Sequence, residues 1–403
     1  MLDPFPATRS AALDRLDAFS SHVKRYAGTR NFIAAGHPHV SRLSAAIRHR
    51  LITEEEVVSF MLERHSFSSI EKFLQEVCWR TYWKGWLAQR PGIWLDAVAL
   101  TSNKNNEPSD LARDAMNARS GCGVMDEFTN ELRSTGYLHN HARMWWAAYW
   151  IHHLKLPWAL GAQFFLDHLL DADPASNTLS WRWVAGLHTP GKTYIARPDN
   201  IARYHPQHPT AGLDALHQTQ PSIPVDHADL TKHPLPRCPT SIDNSLENFT
   251  LLVHAEDLSI EHSNLAPSKP AAIVFLDHRD SHISAARHAW LDTVIADAQQ
   301  RLSDHYSVPI TTIHQATELP QWLQQQQVQH LIAMAPQVGS LADALFPAIN
   351  ELTQSNNCQM HWLQRPWDQD FYPAARSGFF PFWKKVSRAP IFHPQEPQQV
   401  FAF

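Results

Sequence analysis

The chain has 403 residues, of which 44% are hydrophobic and 18% charged, and its formal net charge is −5. A chain of this size and composition suits two domains and buries a large core without disulfides or a structural metal. The acidic balance counts against a nucleic-acid binder with a generally basic surface, although it is compatible with a local basic groove.

The sequence shows no sign of a membrane span or a secretion signal. An uninterrupted apolar run of about 18 residues is missing, and the N-terminus lacks the basic start and apolar stretch of a signal peptide. The four cysteines form no CxxC pair, so we expect neither a zinc nor an iron–sulfur site. They are Cys78, Cys122, Cys238 and Cys358. These features predict a cytoplasmic protein without a membrane partner.

Helical patterns occupy the first half of the chain, over residues 10–206. Thr53 followed by Glu56 is a capping-box pattern, and residues 68–90 and 125–155 carry apolar residues at helical spacing. Most of the 15 tryptophans fall in this half, and no glycine-rich phosphate loop is present, so a nucleotide would have to be held by other means. We predict an all-helical domain over residues 1–206.

Residues 207–248 are rich in proline and polar residues, which predicts an extended linker. After it, short apolar runs alternate with helical stretches. The runs lie at 250–254, 272–276, 310–313, 330–334 and 360–363, and the helical stretches near 283–305, 316–327 and 338–356. This alternation predicts a doubly wound parallel α/β (Rossmann-like) domain over residues 249–403.

Two segments carry the most specific motifs of the chain. Residues 136–144 read G-Y-L-H-N-H-A-R-M, and residues 171–183 read D-A-D-P-A-S-N-T-L-S-W-R-W. Asp173 before a proline is a favourable N-cap, which would gather Asp171, Asp173 and Asn177 at one helix start. In order and spacing, the two segments resemble the motifs G-x-x-H-N-R-x-R-M and D-G-D-x-A-x-N-x-x-x-W-x-W of the photolyase/cryptochrome flavin domain.

The resemblance implies that the helical domain binds FAD. Carboxylates and an amide suit the polar edge of the flavin ring, and Arg143 can pair with Asp171 near it. Residues 40–44 (V-S-R-L-S) resemble the family's phosphate-binding turn T-S-x-L-S, and residues 75–80 (Q-E-V-C-W-R) resemble its N-E-L-x-W-R. The FAD-binding residues implied are Tyr26, Ser41, Arg42, Leu43, Ser44, Arg80, Asn140, Arg143, Asp171, Asp173 and Asn177.

The domain order differs from the family's. Residues 251–265 resemble the start of the family's α/β antenna domain, and residues 376–385 resemble the stretch that follows that domain. In the family the α/β domain precedes the helical domain, whereas here it follows. The resemblance therefore implies a permuted domain order.

The resemblance also implies a light-driven lyase that splits cyclobutane pyrimidine dimers in DNA by electron transfer from photoexcited FADH⁻. The catalytic residues implied are Glu76, Asn177, Trp181, Trp158 and Met144. The residues implied for the flipped lesion are Glu76, Trp79, His141, Met144 and Trp183. Trp79 and Trp183 would stack on bases, as aromatic side chains do in such clefts.

Several positions depart from the family pattern. His141 stands where the family often has arginine, and the F-R-I-F-N-P segment after Trp183 is missing. The resemblance makes Trp181 and Trp158 the first two members of the family's photoreduction chain, a relay of tryptophans in which Trp181 is the electron donor nearest the flavin. By offset, the third member of this relay falls near Asn105, which leaves other tryptophans as substitutes. These are Trp86, Trp94, Trp145, Trp146 and Trp150. Residues 334–339 keep neither the Asn nor the Glu of the family's folate segment, so a second chromophore is not expected.

Three functions stay open on this sequence. The first is a photolyase that acts on dimers in DNA, with single-stranded DNA preferred because the loop is missing and the chain is acidic. The second is a cryptochrome-like blue-light receptor without repair, which would need a signalling partner. The third is a flavoprotein that has lost its photochemistry or that has a structural role.

Overall fold

The structure is a computed structural model that describes residues 5–102, 108–189, 191–243, 246–354 and 358–393. Within these ranges, residues up to 204 form α-helices, as the sequence predicts. They are α1 (Arg9–Ser20), α2 (Tyr26–Thr29), α3 (Ser44–Arg48), α4 (Glu54–Leu62), α5 (Phe67–Ala88), α6 (Gly92–Ser102), α7 (Asp110–Met116), α8 (Gly123–Thr135), α9 (Asn140–Ala148), α10 (Trp158–His168), α11 (Pro174–Val184) and α12 (Pro198–Tyr204).

The remaining described residues alternate between strands and helices. They form β1 (Phe249–His254), β2 (Ala272–Leu276), α13 (Ala285–Tyr306), β3 (Ile310–Ile313), α14 (Leu319–Gln325), β4 (His330–Met334), α15 (Ser340–Gln354), β5 (Gln359–Leu363), α16 (Pro366–Phe371) and α17 (Phe379–Val386). The five strands pair in parallel in the order β3-β2-β1-β4-β5. The strands predicted from apolar runs are thus confirmed.

Local capping explains where several helices begin. The Thr53 hydroxyl accepts from the Glu56 N–H at 3.1 Å, and the Glu56 carboxylate accepts from the Thr53 N–H at 2.8 Å, so the predicted capping box of α4 is present. Such a box satisfies two N–H groups that no carbonyl within the helix can reach.

The helical pattern over residues 125–155 corresponds to two helices, α8 and α9, and a π-helical turn. α8 ends at Thr135 and is capped by Gly136, whose φ of 67° is left-handed, and α9 begins at Asn140. A Cβ at Gly136 would lie 2.7 Å from the Leu170 side chain, so both the turn and the packing require glycine. α9 then passes into a π-helical turn over Tyr149–His153.

Both faces of the sheet are buried, as is usual for parallel strands. Leu251, Val253 and Phe275 point into a core that also contains side chains of α1, α4 and α5. Leu252, Val274 and Leu331 point the other way, toward α14 and α15. The sheet and the helical part of the chain therefore share one hydrophobic core.

Most of the described residues between the two parts are exposed. The predicted linker is not wholly extended, because Leu213–Gln218 form a 3₁₀ helix with Leu213 and Leu216 buried. In the ranges that the structure describes, no helix is long and apolar enough to cross a membrane.

Candidate functional site

The start of α11 is the centre of the site. Asp173 caps this helix by accepting from the Ser176 N–H at 2.9 Å, and Pro174 occupies the first helical position, as the sequence predicts. The second carboxylate oxygen of Asp173 accepts from Nη1 of Arg80 at 2.6 Å. The cap is thus tied to α5 by a charge-assisted hydrogen bond, which is stronger than one between neutral groups.

Asp171 and Arg143 form a bidentate ion pair two residues before the cap. Nη1 and Nη2 of Arg143 donate to the two carboxylate oxygens at 3.1 and 3.0 Å, and its Nε donates to the Leu138 carbonyl at 2.8 Å. This pair joins the segment before α11 to α9, so the two sequence motifs meet in space.

Burial and charge act in opposite directions on these carboxyls. Burial by itself would raise the pKa of Asp171, but Arg143 and Arg80 outweigh it and hold the pKa below its ordinary value. The pKa of Asp173 is likewise lowered, because Arg80, Lys84 and Arg48 outweigh its burial. Both aspartates are therefore anionic at neutral pH although they are 6% and 4% exposed.

Arg48 and Lys84 belong to this cluster and were missed by the sequence interpretation. Nε of Arg48 lies 3.9 Å from Asp173 Oδ2, and its Nη2 donates to Glu256 at 2.7 Å. Lys84 is 3% exposed, and its burial lowers its pKa despite the nearby Asp173. The sequence did contain a signal for both residues. Lys84 follows Arg80 by four positions and Arg48 follows Ser44 by four, and residues four apart lie on the same face of a helix.

Residues 40–44, predicted from the resemblance to bind phosphate, lie just before α3 and include its first residue, Ser44. Leu43 is fully buried, Ser41 and Ser44 are half-buried, and Arg42 has a left-handed φ of 57°. A side-chain hydrogen bond from Ser44 contributes to the lowered pKa of Asp171, so this turn lies against the aspartate cluster. Hydroxyl groups and backbone N–H groups at a helix start suit an anion.

Two other predicted cofactor residues are Tyr26 and Asn140. Tyr26 packs edge-on against Phe19 and Phe73. Asn140 is the first residue of α9 and is exposed.

Asn177 and Trp181 lie on the buried side of α11. The Asn177 amide donates to the Ala162 carbonyl at 2.9 Å, which ties α11 to α10. Trp181 is 2% exposed and packs against Phe165 and Trp146 at centroid distances of 5.2 and 6.0 Å. Among the described residues, none accepts a hydrogen bond from its buried indole N–H.

Two of the five substitute relay tryptophans lie next to Trp181. Trp146 contacts it directly and stacks on Trp150 at 5.1 Å, and both Trp150 and Trp181 pack against Gly161. The other three are engaged elsewhere: Trp86 with Arg90, Trp94 with Asp343 and Trp145 with Asn200. Trp158 is 4% exposed, with the Arg182 guanidinium 5.7 Å from its ring, and the predicted position near Asn105 lies outside the described residues.

The residues predicted to hold a lesion fall into two groups. Glu76 pairs with Lys72 at 2.9 Å and Arg30 at 3.6 Å, while Trp79 stacks on Phe379 at a centroid distance of 3.8 Å with an interplanar angle of 6°. One face of the Trp79 ring is therefore covered by a side chain of α17.

The second group lies on α9 and α11. Trp183 packs against Tyr194 at 5.7 Å, and the Tyr194 hydroxyl is 3.4 Å from Nε2 of His141. His141 also stacks on Trp145 at 4.2 Å. Met144 is half-buried on α9, directly after Arg143.

A cavity of about 620 Å³ separates the aspartate cluster from the sheet. Its lining includes Arg48, Glu256, Arg287 and Ser340. The Gln337 N–H donates to Glu256 at 2.7 Å, so a carboxylate meets residues 334–339 although that segment itself has none.

The donor set fits a flavin dinucleotide. Four cations (Arg48, Arg80, Lys84 and Arg143) gather around two aspartates and Glu256, and such a set of guanidinium and ammonium groups suits a diphosphate. The buried Trp181 N–H also lacks an acceptor within the described chain, and buried polar groups are rarely left in that state. Arg80, Arg143, Asp171, Asp173 and Asn177 are the residues that would hold the cofactor.

Comparison with known proteins agrees with this assignment. A family model described as the FAD-binding domain of DNA photolyase matches residues 73–210, which contain α9, α10 and α11. The deoxyribodipyrimidine photo-lyase of Agrobacterium fabrum is 34% identical over 185 residues, covering 44% of this chain and 38% of the relative. That of Escherichia coli is 27% identical over 210 residues, covering 47% and 42%. The chain thus spans less than half the length of these curated relatives.

Among solved structures, the chain is similar to a class III photolyase from Agrobacterium tumefaciens. The similarity has 28% identity and a TM-score of 0.42, and it covers 49% of this chain and 42% of that one. A cryptochrome from Synechocystis is 24% identical with a TM-score of 0.45, covering 50% and 44%.

Proposed function

We propose that this chain is a member of the DNA photolyase/cryptochrome family and that it uses blue light to repair cyclobutane pyrimidine dimers in DNA. The observation that carries the proposal is the pair of buried, ionised aspartates at the start of α11, held by Arg80 and Arg143. Relatives named deoxyribodipyrimidine photo-lyases support the same reaction class.

The residues of the chain hold and tune the cofactor. When bound, reduced and excited by light, FAD would supply the electron that splits the two carbon–carbon bonds of the dimer and that afterwards returns to the flavin. Asp171 fixes Arg143 so that its guanidinium stabilises negative charge on a reduced ring. Asn177 is fixed by its bond to α10, so its orientation is set before the cofactor binds.

The lesion would lie between the two groups of cleft residues. Glu76 would accept a hydrogen bond from a pyrimidine edge, and Trp183 would stack on a flipped base. Trp79 would use the face that Phe379 leaves open. The edge of a thymine carries an N–H donor between its carbonyl groups, and one carboxylate can accept a hydrogen bond from that N–H.

We also propose that the sheet part is the counterpart of the family's antenna-type α/β domain, carried after the helical part at residues 249–403 instead of before it. The parallel five-stranded sheet and its position in the sequence support this order.

The test is a repair assay with purified protein. Chemically reduced protein with FAD under blue light should convert thymine dimers in oligonucleotides to thymines, faster in single-stranded than in duplex DNA. A dark sample and the Asp171→Ala variant are the controls, and neither should repair. If the illuminated, reduced wild-type protein repairs neither substrate, the repair proposal is wrong.

A blue-light receptor is the second candidate function. The stacking of Phe379 on Trp79 favours it, because that contact already occupies one face of a ring needed for base stacking. Light-driven reduction of the flavin without any dimer repair would support this candidate.

A further inference from the structure

One segment after the sheet is uniformly basic in an otherwise acidic protein. Residues 373–393 contain no aspartate or glutamate, whereas the whole chain has a net charge of −5. Their four cations are Arg376, Lys384, Lys385 and Arg388, and all four are exposed. A charged run is usually only a solvated helix face, so its surroundings decide its role.

The helix in this segment presents an aromatic ring together with these charges. α17 buries Phe379, Phe382, Trp383 and Val386, and the indole N–H of Trp383 donates to Glu71 of α5 at 2.9 Å. Phe380, in contrast, is 70% exposed. Its ring contacts Phe379 edge-on at a centroid distance of 5.8 Å and presents the rest of its surface to solvent.

This surface lies beside the residues proposed to hold the lesion. The Phe379–Trp79 stack joins α17 to α5 directly. The acidic side chains of α5 near it are engaged, since Glu71 accepts from Trp383 and Glu76 pairs with Lys72 and Arg30. Glu71 keeps its negative charge because its donor is neutral, but the four cations of residues 373–393 outnumber it, so the local charge is positive.

We propose that Phe380, Lys384, Lys385 and Arg388 form a docking surface for the single-stranded DNA that flanks the lesion. Exposed cations that track phosphates and an exposed aromatic ring that stacks on a base are the usual means of binding single strands without sequence preference. The proposal rests on the proposed repair function. These four residues, which follow the sheet in the chain, would make DNA contacts in place of the loop that is missing after Trp183.

The test measures binding of a single-stranded oligothymidine without a lesion, in the dark, by fluorescence anisotropy. Lys384→Gln with Lys385→Gln should weaken binding about tenfold at low salt and reduce the salt slope by about 1.4, since single strands contribute about 0.7 per neutralised phosphate. Phe380→Ala should weaken binding about fivefold or more while leaving the salt slope unchanged.

The matched control is Lys269→Gln with Arg133→Gln, which removes two exposed positive charges from other parts of the surface. It should bind as the wild type does. Unchanged FAD content and melting temperature show that each variant is folded. The proposed docking surface would be wrong if the control and the Lys384/Lys385 variant lost the same affinity for oligothymidine. It would also be wrong if the Lys384/Lys385 variant bound with wild-type affinity, or if the wild-type protein bound no oligothymidine.

Repair is measured separately, so the two proposals fail differently. If the wild type repairs dimers and the Lys384/Lys385 variant binds and repairs equally well, the surface is wrong and the repair function stands. If the wild type repairs nothing while oligothymidine binding depends on these lysines, the surface stands and the repair function is wrong.

Discussion

Asp171 and Asp173 lie two residues apart and have different structural roles. Asp173 caps α11 and accepts from Arg80, whereas Asp171 makes no cap and forms a bidentate pair with Arg143, with a further hydrogen bond from Ser44. The first is explained by local helix chemistry, and the second by a partner 28 residues away. A ligand that contacts Arg143 therefore depends on Asp171 for the orientation of that guanidinium.

Replacing Asp171 by asparagine should lose FAD while retaining the fold. Arg143 would face a neutral amide, and breaking a buried pair costs about 3–5 kcal/mol, with the lower value expected here because Arg143 is 23% exposed. FAD content and urea unfolding measure the two effects. Asp114→Asn, in the exposed pair with Arg119, is the control and should change stability by less than about 1 kcal/mol. Normal FAD content in Asp171→Asn would contradict the assignment.

His139 should make the protein sensitive to acid. Its Nδ1 accepts from the His141 N–H at 3.1 Å at the start of α9, and burial, with smaller contributions from His37 and His141, lowers its pKa to about 3. Because the unfolded histidine titrates near pH 6.5, its contribution to stability is complete above that pH and is lost as the pH falls toward 3. The slope is up to about 1.4 kcal/mol per pH unit.

The His139→Asn variant tests this acid sensitivity. Asparagine can still cap the helix but does not titrate, so the loss of unfolding free energy between pH 7.5 and 5.5 should shrink by about 1.4 kcal/mol. It should not vanish, since burial also lowers the pKa of His49 to about 3 and of His188 to about 4. An unchanged pH dependence in the variant would show that His139 is not the group responsible.

At the scale of elements, α10 and α11 approach closely because Gly161 has no side chain. A Cβ there would lie 2.4 Å from Trp181 Cη2 and 3.0 Å from Trp150 Nε1. The glycine therefore sets the position of the tryptophan predicted to be the nearest electron donor to the flavin. α10 also begins at Trp158, so one helix pair carries both predicted relay members.

Gly161→Ala should displace the Trp181 ring and destabilise the protein by about 1–3 kcal/mol, the usual cost of overpacking a core. It should also slow the reduction of oxidised flavin under blue light, and Trp181→Phe should slow it more strongly. Absorption spectroscopy during illumination measures both rates. Gly28→Ala is the control, because a Cβ at Gly28 meets no atom within 4 Å. Wild-type photoreduction in Trp181→Phe would mean that the relay was misassigned.

At the scale of the whole molecule, buried ion pairs join the helical part to the sheet part. Asp257 accepts from Arg50 at 3.0 Å and from Arg365 at 2.7 Å, and Arg50 also donates to Asp368 at 2.5 Å. Arg50 precedes α4, Asp257 follows β1 and Arg365 precedes α16. Two of these pairs, Arg50–Asp257 and Arg50–Asp368, join the helical part to the sheet part, so we expect the two parts to unfold together.

Asp257→Ala should lower the free energy of unfolding by about 3–5 kcal/mol, because it leaves two buried guanidinium groups without their shared carboxylate. Calorimetry should show one transition for the wild type at a higher temperature than for the variant. Asp110→Ala, in an exposed pair with Arg113, is the control and should leave the transition almost unchanged. Two separate transitions in the wild type would contradict a single cooperative unit.

Much of the fold follows from local sequence signals. The cap at Asp173, the capping box at Thr53 and the five apolar strands depend on neighbouring residues and on period, so the sequence predicts them at nearly the observed positions. The break in the helical pattern at Gly136 was less evident, because apolar spacing continues on both sides of it.

The sequence by itself determined the helical and strand segments, the α11 cap and the motif that implies FAD, because each depends on residues close together in the chain. Only the tertiary structure placed Arg48 and Lys84 beside Asp173, and Phe379 on Trp79. The last pair is separated by 300 positions, and no local pattern encodes such a contact. It forms because α17 buries its apolar face against α5, and the folded core alone decides which ring meets which.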